Sequence, residues 1–190
     1  MPSIIAKNNE DTHKLYSHTH FFIEMGMALA ISGMFIILLG ALRLPASIPI
    51  FYLSYRRNPR VAMFTGIILG LIILVVKPII HPVNILESPL EYLCIGLAGF
   101  FPMGERKFSN KFFQWIYDCR GIIIAATLRF IVTFTGSFII YSTYLPHNSV
   151  TFRVIIAFLD EGPIFIPYLI FSMVLIPFLV RYKFDVKELK

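Results

Sequence analysis

Residues 81–100 read HPVNILESPLEYLCIGLAGF. From Leu86 onward the stretch is apolar enough for a membrane helix, yet it carries Glu87 and Glu91 four residues apart, on one helical face. A carboxylate survives in such a run where it faces the interior of a helix bundle or a wet cavity. The stretch therefore points to a bundle in lipid with something polar inside it.

The rest of the sequence agrees. The chain has 190 residues, is 57% hydrophobic and has a mean hydropathy of +0.74, outside the range of soluble domains. Six continuous apolar segments can be drawn, at 21–42, 48–55, 61–80, 86–103, 121–144 and 164–180. Crossing a hydrocarbon core of about 30 Å takes roughly 20 helical residues, so the segment at 48–55 is short, and Pro49 predicts an irregular or tilted element there. The runs do not alternate, which excludes a β-barrel. The expected fold is an all-α integral membrane protein with six transmembrane helices, a single transmembrane domain over residues 1–190. Residues 1–19 form a polar N-terminus without a cleavage site for a signal peptide.

Basic residues divide the connections. Arg56, Arg57 and Arg60 fall in one, Arg106, Lys107 and Lys111 in another, and Arg181, Lys183, Lys187 and Lys190 in the tail at 181–190, whereas the alternate connections hold little positive charge. The positive-inside rule then puts both termini in the cytoplasm of a multi-pass plasma-membrane protein. The connection at 104–118 is amphipathic, with Phe108, Phe112, Phe113 and Trp115 among charged residues, and is expected to lie along the cytoplasmic interface or to receive a partner.

Charges inside the apolar runs mark the candidate site. Glu87 and Glu91 open the fourth segment at its outer end, and Arg129 lies roughly 15 Å into the fifth at about 1.5 Å per residue. Asp160 and Glu161 precede Gly162 and Pro163, where the sixth helix is expected to start. Two arrangements fit. In one, the acids line an outward pocket floored by Arg129. In the other, Arg129 pairs with Glu91 to join two helices while Glu87, Asp160 and Glu161 cap helix starts. Lys77 is expected to reach the headgroups.

The first segment contains FFIEMGMALAISGMF, residues 21–35, in which Gly26, Ala28, Ala30, Ser32 and Gly33 permit close helix approach, within the chain or against another membrane subunit. His13, His18 and His20 lack Cys or carboxylates at ligand spacing, so no metal is expected. Cys94 and Cys119 are far apart in sequence and read as packing residues. Nucleotide-binding loops, zinc-protease signatures, nucleophile elbows and dinucleotide fingerprints are absent, so any ATP hydrolysis belongs to another chain.

In this order, IEMGMALA, SIPIFYLSYRRNPRVAMFTGIILGLI, HPVNILESPLEYLCIGLAG, LRFIVTFTGSFIIYSTYLP and DEGPIFIP resemble the substrate-binding S components of energy-coupling factor vitamin transporters, and among them the thiamine-specific ThiT group. The resemblance runs from about residue 22 to 182. It implies a six-helix protein without enzymatic activity or cofactor that captures a vitamin from outside and couples to a transmembrane subunit and two ATPase subunits. Glu87 matches the family's ligand-binding acid, Arg129 a basic pocket position and Tyr141 an aromatic lying on the ligand. Ser88 stands where the family has Tyr, Thr133 where it has His, Glu161 where it has Asn and Leu69 where it has an aromatic. The loop after the first helix is trimmed to ALRLPAS. Gly26 and Ala30 fall on the family's docking face.

The expected ligand site thus comprises Glu87, Ser88, Glu91, Arg129, Thr133, Tyr141, Asp160 and Glu161, taking thiamine or a related small water-soluble vitamin or precursor, with the extra acids favouring a cation. Loops at 44–48 and 145–152 are expected to close over it. Two rival readings remain: a stand-alone proton-coupled carrier titrating Glu91 and Arg129, and a membrane enzyme using Glu87, Glu91 and Asp160 as acid–base groups.

Overall fold

The computed structural model describes residues 22–37, 45–56, 58–76, 82–103 and 109–188. The polar N-terminus with its three histidines, Lys77, His81, Arg106, Lys107 and the side chains of the basic tail lie outside the described residues.

The described residues fold into helices without strands: α1 (Phe22–Ile37), α2 (Ile48–Arg56) after a 3-10 turn at Pro45–Ser47, α3 (Pro59–Val76), α4 (Asn84–Gly96) continued by a 3-10 turn at Leu97–Phe100, α5 (Lys111–Asp118), α6 (Arg120–Tyr144) and α7 (Val150–Glu188). Two of them, α6 and α7, are long and apolar enough by themselves to cross a membrane.

Proline placement explains two boundaries. Pro49 is the second residue of α2, where an N–H would have no helical partner, so it starts the helix and does not break it. The expectation that the last helix begins at Pro163 is wrong. Helix α7 starts at Val150, after Ser149 Oγ accepts a bond of 3.2 Å from the Phe152 N–H, and it carries Pro163, Pro167 and Pro177 in its interior. Asp160 and Glu161 therefore sit some three turns inside a helix and cannot cap its start. Of the two segments expected to close over the ligand, one is the connection at 145–149 between α6 and α7, and in the other Ala46 and Ser47 are fully buried.

Helix α2 occupies the middle of the bundle, touching α3, α4 and α7. Nine residues span only about 14 Å, but Ile50, Phe51, Leu53 and Ser54 are all buried, so the middle of the helix is shielded by protein. The Phe51 ring meets Tyr168 of α7 at 6.3 Å between centroids, with Leu69, Ile95, Ile122 and Ile176 around them. Helices α3 and α4 form the most extensive contact. A Cβ on Gly70 would lie 2.6 Å from the Ser88 carbonyl oxygen, and one on Gly96 would lie 2.6 Å from Met63 Cα, so side chains are excluded along this seam. Ser54 Oγ donates to the Gly96 carbonyl at 2.8 Å and accepts from the Gly99 N–H at 2.6 Å, tying α2 to the end of α4.

The outer skin of this bundle is apolar. Val75 is 88% exposed, Leu86 70%, Ile37 69% and Phe178 63%, while Glu91, Arg129, Thr65 and Ser137 are buried. A water-soluble domain buries the first set and exposes the second. Cys94 and Cys119 are buried free thiols.

Candidate functional site

One stripe of α6 faces the bundle. Ile122, Ala126, Arg129, Thr133 and Gly136 recur every three or four residues and are all buried, as is Ser137 beside Gly136, and Tyr141 continues the line one turn further. Glu87 and Glu91 of α4 and Glu161, Phe165 and Tyr168 of α7 meet this stripe from either side.

At the deepest tier, Arg129 donates through Nε at 2.9 Å and through Nη2 at 2.5 Å, both to Glu91 Oε1, with both side chains more than nine-tenths buried. The guanidinium also lies 4.1 Å from the centre of the Tyr168 ring. An isolated charge here would be prohibitively costly; mutual neutralisation plus an aromatic face lets α4, α6 and α7 share it.

The middle tier depends on a glycine. A Cβ on Gly136 would lie 2.5 Å from Glu87 Oε2, so the Glu87 carboxylate rests on the α6 backbone where no side chain intervenes. On the other flank, Ser137 Oγ donates to Glu161 Oε1 at 3.3 Å. At a third tier, one turn further along α6, Tyr141 donates its hydroxyl to Asp160 Oδ2 at 3.2 Å.

Between the deep and middle tiers a cleft opens, lined by Ala126, Arg129, Phe130, Thr133, Glu161, Ile164 and Phe165, with about 220 Å³ of space including its mouth. The enclosed cavity itself is only about 10 Å³, room for no more than a water molecule and far below the ~300–1,000 Å³ typical of small-molecule sites. Phe130 packs against Phe165 at 4.7 Å between centroids with the rings tilted by 38° and meets Phe158 edge-on at 6.2 Å, so one wall is aromatic. The arrangement offers carboxylates, hydroxyls and ring faces, which suit a small cation with hydrogen-bonding groups.

Of the residues named from sequence, Arg129, Thr133 and Glu161 line this cleft, Glu87 lies against α6 beside it, and Tyr141 pairs with Asp160 two turns beyond Thr133 without lining it. Glu91 is behind Arg129 and does not line it. Ser88 turns its carbonyl to Gly70 of α3, away from the cleft wall. Gly136, Ser137, Phe130, Phe165 and Tyr168 were not singled out, although Ser137 follows Arg129 and Thr133 at four-residue steps and Tyr168 follows Glu161 by seven, a spacing that places each on the same face as its charged neighbour.

Helix α1 divides its small residues between two faces. Ala28, Ser32 and Ile36 are buried, whereas Gly26 and Ala30 are exposed, and a Cβ on Gly26 or Gly33 would meet nothing within 4 Å. Leu29, Ala30, Gly33, Met34, Ile37 and Ile72 of α3 line an apolar groove on that side.

An apolar skin around a layered, acid-rich seam defines a membrane protein that handles a small polar solute. The sequence matches the family model described as Thiamine transporter protein (Thia_YuaJ) over residues 17–187. The chain belongs to this family of membrane transporters, whose role is thiamine uptake. No curated protein sequence gives a significant match.

Proposed function

We propose that the chain is the substrate-capture subunit of an energy-coupling-factor importer, taking thiamine or a closely related cationic vitamin or precursor from outside the cell. In this reading it crosses the plasma membrane six times with both termini in the cytoplasm, performs no chemistry, and couples to a transmembrane subunit and two ATPases. The observation that carries it is the Glu87 carboxylate laid on Gly136 beside the Arg129–Thr133–Glu161 cleft. That carboxylate supplies the countercharge for a cationic ring, and the Phe130–Phe165 wall supplies its stacking face.

The cleft is too narrow for such a ligand as it stands, so binding requires α7 to move off α6. Pro163 and Pro167 remove two backbone hydrogen bonds next to the cleft and give α7 a place to bend. The Ser137–Glu161 and Tyr141–Asp160 bonds cross the same seam and would exchange for ligand contacts. The exposed Gly26 and Ala30 face of α1 is the surface proposed for the coupling subunit.

The test is to purify the chain in mild detergent and identify co-purifying small molecules by mass spectrometry, with calorimetric titration of thiamine. A nitrogen-containing vitamin-like ligand is expected, bound at least about tenfold more weakly by Glu87→Gln; unchanged affinity in that variant removes Glu87 from the site. Ala30→Trp is expected to abolish co-purification of the coupling subunits while sparing ligand binding. Uptake into liposomes by the chain alone under a proton gradient would replace this reading with the carrier.

A further inference from the structure

Helix α5 turns the wrong residues outward for a protein surface facing water. Its eight residues end on Asp118, which is buried and accepts a 3.1 Å bond from Gln114 Nε2, whereas Phe112 and Phe113 are 61% and 60% exposed. The helix is a defined element: Asn110 Oδ1 accepts from the Phe112 N–H at 2.9 Å and caps it, and the Phe112 ring packs 6.4 Å from Trp115. A helix with its apolar face away from the bundle requires another apolar medium on that side.

Its position identifies the medium. A single residue, Cys119, separates α5 from α6, one of the two helices of membrane-crossing length, so α5 lies at the level where that helix leaves the hydrocarbon. The C-terminal end of α2 is at the same end, because a Cβ on Gly121 would lie 2.5 Å from the hydroxyl of Tyr55, the residue before Arg56, and α3 starts at Pro59. Arg56 is engaged with Glu24 at 3.4 Å, but Arg60 and Lys111 are exposed on this rim. Aromatic side chains beside exposed cations at a helix exit match the chemistry of a bilayer surface bearing negative charge.

We propose that α5 and the first turn of α3 form a binding surface for anionic phospholipid headgroups, with Phe112 and Phe113 inserted at the acyl boundary and Arg60 and Lys111 holding the phosphates.

Trp115 is the only tryptophan of the chain, so its fluorescence reports on α5 alone. The full chain is placed in nanodiscs carrying equal mole fractions of brominated phosphatidylglycerol or brominated phosphatidylcholine, and Trp115 quenching is compared. One basic residue at a charged surface enriches anionic lipid about fivefold, so the phosphatidylglycerol discs are expected to quench markedly more, and Arg60→Gln/Lys111→Gln is expected to bring the two to parity with an unchanged thermal transition. Equal quenching in the unsubstituted chain overturns the headgroup preference. Absence of quenching by either lipid overturns the bilayer contact and assigns the face to a protein partner. A preference that survives the double substitution overturns the role of Arg60 and Lys111.

Discussion

Between α3 and α4 the backbones touch. At Gly66, Gly70 and Gly96 there is no room for a Cβ, and the atoms that crowd those positions are the main chain of the facing helix. Between α6 and α7 the contacts are made by side chains, hydroxyl to carboxylate and ring to ring, around a cleft whose α7 wall is flanked by Pro163 and Pro167. Backbone contact at a glycine has one separation, and widening it loses the dispersion of the whole seam. Side-chain contact has several, since rotamers can change while the helices part. The bundle thus joins a fixed half to an adjustable half, with Glu87 and Glu91 of α4 reaching from the first into the second.

The largest expected effect breaks the fixed half. Gly66→Leu forces a side chain into the Tyr92 main chain, which cannot yield, and should leave no monodisperse folded protein in size-exclusion chromatography, a loss of at least about 3 kcal/mol. Next comes the point where the halves meet. Arg129→Met strands Glu91 in the interior at a cost of about 3–5 kcal/mol, and Arg129→Met/Glu91→Met should recover most of it, as read from denaturation in detergent. A single variant as stable as the unsubstituted chain would show that the pair holds nothing together.

Gly136→Ala should push the Glu87 carboxylate from α6 and reduce ligand affinity about tenfold in calorimetric titration, with little further loss when combined with Glu87→Gln. Additive losses would separate the two residues. The smallest effect is expected at Ser137→Ala, which removes one 3.3 Å bond across the adjustable seam. It should cost about 1 kcal/mol or less in thermal unfolding, and a larger loss would mean that α6 and α7 are not free to part.

Much of this was legible in the sequence. The apolar runs foreshadow the helices, the four-residue step from Glu87 to Glu91 gives their shared face, and pairing of Arg129 with Glu91 was one of the two arrangements that the sequence allowed. The start of α7 was misread because Gly162–Pro163 looks like a helix boundary in water, where an unpaired carbonyl is cheaply hydrated and a helix readily ends. Among packed helices the same proline bends a helix without ending it, since nearby groups satisfy the freed carbonyl. Gly136 was illegible for a different reason. Its role is an empty volume filled by a residue 49 positions earlier in the chain, and no periodicity in α6 encodes that.

The Arg129–Glu91 pair also bears on how the protein is made. The two residues are 38 positions apart, and α4 is synthesised before α6. Each charge alone costs about 2.5–3.5 kcal/mol at the centre of an inserting helix. Helix α4 is therefore expected to linger at the insertion machinery until α6 emerges and the two enter the lipid as a neutral unit. Cross-linking of stalled nascent chains should detect that wait, and it should vanish when both residues are methionine.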